Sequence, residues 1–341
     1  MAEQAAEKIL RHGEAAKDQC GNLEQIQPTE ERPLVTFALF AYNQEKYIRE
    51  AVEGAFAQTY EPLEIILSDD CSTDRTFEIM EEMASCYKGQ HRIKLNRNSK
   101  NLETGAHVNK IDAMANGVLI VHAAGDDISL PDRTTALFSA WKTAGYPSAV
   151  WSNALLIDEH GNRLGPSYIS PQHPSTLLQG QENISEALGA TIAIDRRLID
   201  TFGPFDPLIF REDSVISYRA TILNGLQYLS SPLVFYRKHN SLSNNQAKNR
   251  KEFLNFHSRW ALCRIQLQNQ KKLDSEKVQA PRFINPQESR LLIYDNAVLK
   301  ITNSSIFSAS LSILRHLFLN IKETRDLAWL LLIRLGIKDY P

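Results

Sequence analysis

Between Pro33 and Asp127 the chain alternates, at short intervals, between apolar runs of strand length and stretches whose apolar residues recur at helical spacing. LVTFALFAY (34–42) predicts a strand, and Tyr47, Ile48, Ala51, Val52, Ala55 and Phe56 predict a helix running from a cap at Asn43 to about Gln58. A strand over Leu63 to Ser68, a helix over Arg75 to Tyr87, a short strand near Ile93 to Leu95, a helix ending near Ala115 and a strand from Val118 follow. That order predicts an α/β chain with a parallel sheet and crossover helices, in which ligands collect beyond the carboxyl ends of the strands. Three of those ends are polar: Tyr42 and Asn43 after the first, Asp69, Asp70 and Asp74 after the second, and Asp126 and Asp127 after the last.

Two adjacent carboxylates repel one another, so a hard divalent ion, Mg²⁺ or Mn²⁺, is one reason to place Asp126 beside Asp127, and such an ion also grips phosphate oxygens. A turn capping the helix that starts near Pro131 is the other reason. The acids from Asp69 to Asp74 carry the same two readings. Tyr42, an aromatic ring beside carboxylates and amides, offers a seat for a nucleobase. There is no Walker sequence and no GxGxxG, so phosphates would be held through the metal.

A net charge of −2 over 341 residues excludes the basic excess of a nucleic-acid binder. Cys20, Cys71, Cys86 and Cys263 show no CxxC spacing, which argues against a zinc site or a disulfide framework. The first 20 residues carry acids and no apolar h-region, and the longest apolar run, Leu327 to Ile333, is too short to span a bilayer. A cytoplasmic protein is expected. The chain divides into a polar lead-in (1–32), a sheet domain (33–245) and a C-terminal helical region (246–341).

The run PLVTFALFAYNQEKYIREAVEGAFAQTYEPLEIILSDDCSTDRT, then Asn109 and Gly117, then AAGDDISLPDR, resembles the family 2 glycosyltransferases of the GT-A fold over about residues 33 to 240. The resemblance implies a Rossmann-like nucleotide-sugar domain with a mostly parallel central sheet, a metal-bridged diphosphate and inversion at the sugar's anomeric carbon. It places Tyr42 and Asn43 against the base, Asp70 in contact with it, Asp126 near the ribose or sugar, and Asp127 on Mn²⁺ or Mg²⁺. Asn109 belongs to the same donor-binding set. The Arg-Asn pair common in the family is here Val108-Asn109, and His107, Lys110 and Arg133 are the candidates for the missing cation.

In that family a Glu-Asp pair after a Gly-x-Phe-Asp turn carries the catalytic base. Here Asp213 takes the role, with Glu212 second, after Gly203-Pro-Phe-Asp206. Without the resemblance both acids read as favouring a helix dipole. His239, in Tyr236-Arg-Lys-His, is the second metal ligand by the same likeness. The donor would be a nucleoside-diphosphate sugar, UDP- or dTDP-linked, and the acceptor a cell-surface glycan of O-antigen or capsule type, free or lipid-linked. A sugar nucleotidyltransferase and a non-catalytic nucleotide-sugar-binding protein are the rival readings.

The second half predicts a strand over Trp151 to Leu156, a turn at Asp158 to Asn162, a loop over Leu164 to Gln181 and a strand pair, Leu226 to Leu229 and Pro232 to Tyr236. Phe253, Phe256, Trp260, Cys263 and Leu267 predict one apolar stripe on a long helix. A polar linker (Lys271 to Pro286) and helices over Gln287 to Thr302 and Ile306 to Leu335 follow. Arg315, Lys322, Arg325 and Arg334 make the last helix basic and amphipathic, suited to peripheral contact with an anionic membrane, to docking on its own domain or to self-association.

Overall fold

The computed structural model describes residues 32–165, 187–238 and 250–280, and beyond them Asp295, Asn296, Val298, Leu299 and Leu327. The strands are β1 (Val35–Ala41), β2 (Leu63–Asp69), β3 (Arg92–Arg97), β4 (Leu119–Ala124), β5 (Ile128–Ser129), β6 (Ala149–Ile157), β7 (Ile192–Asp195) and β8 (Leu226–Arg237). The helices are α1 (Ile48–Phe56), α2 (Thr76–Cys86), α3 (Glu103–Met114), α4 (Arg133–Thr143), α5 (Arg196–Phe202), α6 (Glu212–Leu223) and α7 (Arg250–Val278).

One sheet of order β3-β2-β1-β4-β7-β6-β8-β5 holds every strand. The first four are parallel, β7 is antiparallel to both its neighbours, and β6 and β8 are parallel to each other. Two antiparallel steps restore direction, so β6 and β8 point the same way as β1. β1 and β2 are buried almost throughout because both faces are covered. Val35, Phe37 and Leu39 face one core with α1, and Ala38 faces the other with Ile111 of α3 and Ile216 of α6. Burying a side chain such as Phe37 or Leu39 contributes roughly 1.5–3 kcal/mol. Gly117 starts β4 without a side chain because a Cβ there would stand 2.3 Å from the Thr36 nitrogen.

Consecutive strand ends are stitched by single hydrogen bonds. The Asp70 N–H donates to the Ala41 carbonyl (2.9 Å), the Gly125 N–H to Phe40 (2.8 Å) and the Asn98 N–H to Asp69 (2.9 Å). β6 and β8 finish at this same edge, and β7 enters there through a 3-10 turn, Gly189–Thr191.

The structure departs from the sequence reading in three elements. The first helix begins at Ile48, because Asn43 adopts a left-handed φ of 53° in place of the extended backbone of an N-cap. Leu226–Arg237 is one strand, kinked where Pro232 pairs beside a register shift at Ser152 and Asn153, in place of a strand pair. α7 runs through the expected linker to Val278, and Lys271, Asp274 and Ser275 are buried in it. Residues 1–31, 166–186 and 239–249, most of the expected loop over 164–181, and all but five residues of the helices expected after 286 lie outside the described residues. Among the described residues no helix is long and apolar enough to cross a membrane. The described residues from Leu34 onward, α7 included, belong to one compact unit.

Candidate functional site

The turns after β1 and β2 are laced together. The Asn43 N–H donates to Ser72 Oγ (2.8 Å), and Asn43 Oδ1 accepts the Thr73 N–H (2.8 Å). The Glu45 N–H donates to Asp74 Oδ2 (3.1 Å), while Glu45 Oε2 accepts the Arg75 N–H (3.0 Å). Asp74 also accepts from the Thr76 backbone and hydroxyl, so it is a capping residue. Asp69 is fully buried and holds the Ser72 N–H and hydroxyl. Asn43 thus spends its side chain on the neighbouring turn. Tyr42 stands half-buried at the strand end, its N–H on Gln44 Oε1.

Asp70 is buried, and its Oδ1 accepts from Asn98 Nδ2 (2.7 Å) and the Leu102 N–H (2.9 Å). Asn98 Oδ1 in turn accepts Lys110 Nζ at 2.6 Å. His107 is buried against Ser68 Oγ, and burial lowers its pKa against the opposing pull of Asp70 and Asp69. Arg133 is fully buried. Of the three cation candidates, Lys110 is the half-exposed one, one side chain removed from Asp70.

Asp127 is 5% exposed, and the two oxygens of its carboxylate differ. Oδ1 accepts the Arg237 N–H at 2.8 Å, whereas Oδ2 is buried with no hydrogen-bond partner. Burial, and then the charge of Asp126, push this carboxyl well above the usual range, against the pull of the Arg237 N–H and the Arg133 and Arg237 charges. An orphaned buried carboxylate oxygen is costly unless a cation meets it, so the donor set fits a divalent ion at Asp127 Oδ2 beside the half-buried Asp126. Arg133 donates to Ser129 Oγ (2.8 Å) and the His122 carbonyl (2.5 Å), and burial brings its pKa down to about 9. It therefore remains a cation at neutral pH, fixed in the interior and not offered to a ligand. Arg237 donates to the carbonyls of Asp126 (2.9 Å), Asp158 (3.2 Å) and Glu159 (3.1 Å), pairs with Glu50, and lies 4.7 Å from the Tyr47 ring centre. That binds the β4 loop to β6 and α1. His239 lies outside the described residues, and among those described no three His, Cys, Asp or Glu side chains form a metal-holding group.

Glu212 and Asp213 open α6. A Cβ on Gly189, in the turn that leads into β7, would meet Glu212 Oε1 at 2.8 Å and Asp213 Cβ at 3.7 Å. This sets both acids against the edge where β4 ends. Burial, then the charge of Asp213, push Glu212 up to about 8. Asp213 Oδ1 accepts the Ser214 N–H at 2.7 Å. Asn109 has a different place from the one expected: its amide brackets Phe205, donating to that carbonyl (2.8 Å) and accepting its N–H (3.1 Å). It holds the turn that delivers the two acids. Sequence reasoning missed Asn98 and the carbonyl-binding role of Arg237; Asn98 alone had a local signal, being a polar residue one step beyond a strand end.

Residues 36–203 match the model of the family described as glycosyl transferase family 2. Putative glycosyltransferase EpsE of Bacillus subtilis is 32% identical over 148 residues, 43% of this chain and 52% of that protein. Chondroitin synthase of Escherichia coli is 31% identical over 139 residues, 41% of this chain and 20% of that one. The matches span about half the length of the first curated relatives, or less. Among solved structures, S. aureus TarS 1-349 in complex with UDP-GlcNAc superposes with a TM-score of 0.53 at 16% identity, covering 89% of this chain and 91% of that one. Mannosyltransferase PcManGT from Pyrobaculum calidifontis, in complex with GDP-Man and Mn²⁺, gives 0.52 at 17% identity, covering 96% and 94%. At such identities the likeness establishes the shared GT-A fold alone.

Proposed function

We propose that this chain, whose residues 36–203 belong to glycosyl transferase family 2, is a metal-dependent inverting glycosyltransferase that moves a sugar from a nucleoside-diphosphate donor to a glycan hydroxyl. The observation that carries the reading is the unpartnered buried Oδ2 of Asp127 at the sheet edge shared by Tyr42, Asp70, Asp126 and Glu212. Tyr42 flanks the base, Asp70 contacts it with the oxygen not held by Asn98, and Asp126 faces the sugar. Asp127 and, by the family likeness, His239 would hold Mn²⁺ or Mg²⁺. The ion supplies positive charge to the leaving diphosphate. Lys110 replaces Arg133 as the cation nearest the donor.

The acceptor oxygen bonds to the anomeric carbon as the carbon–diphosphate bond breaks, and the hydroxyl proton passes to a carboxylate. Asp213 takes that role in this reading, with Glu212 as its neighbour and second candidate; burial and the charge of Asp213 push the Glu212 carboxyl up to about 8. The TarS complex with UDP-GlcNAc and the PcManGT complex with GDP-Man support an activated-sugar donor, and the acceptor in this reading is a surface glycan, free or lipid-linked. In this reading the protein works in the cytoplasm or on the cytoplasmic face of a membrane.

The test is a donor panel (UDP-, dTDP- and GDP-sugars) scored by thermal shift with and without Mn²⁺, then by release of nucleoside diphosphate. Metal-dependent stabilisation and diphosphate release are expected. Pyrophosphate formed from a nucleoside triphosphate would mark a nucleotidyltransferase, and binding without turnover a non-catalytic protein.

A further inference from the structure

α7 lies wholly beyond residue 203, where the family match ends, yet Lys271, Asp274 and Ser275 on it are buried. Asp274 grips Arg219 of α6 with both oxygens, to Nε at 2.8 Å and Nη2 at 3.1 Å, and each side chain is 3% exposed. The remaining arm of the guanidinium, Nη1, donates to the Gly203 carbonyl (2.7 Å), and its carbon lies 5.1 and 5.7 Å from the Phe202 and Phe205 ring centres. Gln270, one turn before Asp274, donates to it at 3.0 Å and accepts the Asp206 N–H at 3.0 Å. Lys277 Nζ donates to the Phe202 carbonyl at 3.2 Å. With Asn109 of α3 on Phe205, every residue from Phe202 to Asp206 except Pro204 is held by a named side chain.

We infer that Asp274, acting through Arg219, is a positioning residue for the Glu212–Asp213 pair; the inference rests on the reading of that pair as the proton-accepting end of the site. Arg219 stands seven residues after Glu212, roughly 10 Å along the same face of α6. Holding Arg219 fixes the pitch of the helix whose first residues are the two acids. Holding Gly203 and Asp206 fixes the chain that enters it. α7 also reaches the last residues before the acids: Phe210 stacks edge-on to Trp260 at 4.8 Å, and the buried Cys263 thiol accepts backbone hydrogen bonds from Phe210 and Arg211. Adhesion between two helices does not call for a buried ion pair, since apolar residues of similar volume serve as well or better. A guanidinium with three acceptors in fixed directions does set orientation, and an error of about 1 Å at a reacting group can cost on the order of 10²-fold in rate.

The test uses the full chain and the donor that the panel identifies. Arg219→Met/Asp274→Leu replaces the ion pair with apolar contact; Asp274→Asn, close to isosteric, carries the test should the apolar pair not fold. The expected result is a cooperative melt, a donor KM within about twofold of the wild type, and nucleoside diphosphate release slowed between about 10- and 100-fold. Amide exchange should rise over residues 203–213 and stay unchanged in β1, β2 and β4. Unchanged exchange over 203–213, unchanged turnover, or a loss of donor affinity in step with turnover would overturn the inference. Asp213→Asn and Glu212→Gln run beside these variants: normal turnover in both removes the reading beneath the inference, whereas loss of turnover there with normal turnover in the clamp variants removes the inference alone.

Discussion

The acids after β2 and the acids opening α6 have similar sequences and are held in opposite ways. Asp69, Asp70 and Asp74 are engaged by residues between 45 and 102, mostly backbone N–H groups and hydroxyls of their own and adjoining turns. Glu212 and Asp213 have their approach fixed from residues 109, 270 and 274. The first group serves chiefly to build its turn, with a single face left for a ligand. The second keeps the Glu212 carboxyl displaced upward by burial and by the charge of Asp213, at some cost in stability.

The sharpest way to break that contrast is Asp213→Asn. It should cut turnover by roughly 10²–10⁴-fold with donor affinity unchanged, read from steady-state kinetics and thermal shift. Near-normal turnover would return the base to Glu212. Next comes Asp127→Asn, which offers a neutral oxygen where a cation is expected. The wild type with Mn²⁺ and donor at about 100 times Kd should gain about 2.7 kcal/mol, and the variant should lose most of that gain in the same melt. An equal shift in both would dissociate Asp127 from the ion.

The pH dependence of Glu212 sharpens the contrast from the side of stability. Its pKa rises from 4.5 to about 8 on folding, so the folded chain keeps a proton that the unfolded chain loses between those values. Stability from this group is complete below pH 4.5 and is lost as pH rises through about 8. Glu212→Gln should therefore melt higher than the wild type at pH 8.5 and by much less at pH 5, the difference growing as pH rises between the two. A constant difference across pH would contradict the shift. The smallest effect is expected of Asp74→Ala, a lost cap costing about 1 kcal/mol in a denaturant melt with turnover intact. A large loss of turnover there would make the first acidic turn part of the chemistry.

What the sequence disclosed follows from range. β1, β2 and β4 each bury both faces with residues consecutive in the chain, so their apolar runs announced them and the edge at which their loops meet. The same local reading placed Asp126 beside Asp127. It failed where a polar residue finds its partner far away. Lys271, Asp274 and Ser275 read as linker because nothing near them shows that Tyr218 and Arg219 wait across an interface. Arg133 was a candidate for the diphosphate because a sequence does not tell which side of a strand end a long cation takes; the structure puts it beneath Asp127. Asn109 kept its station on α3 and turned its amide to Phe205.

The mutual lacing of the turns after β1 and β2 bears on how such a protein can be re-engineered. Since Asn43 is bound to Thr73 and Glu45 to Arg75 by reciprocal partners, neither turn is a removable cassette. A chimera that imports one of them from a relative must import its counterpart as well, so the smallest transplantable module at this edge is the pair, carried on β1, α1 and β2 together.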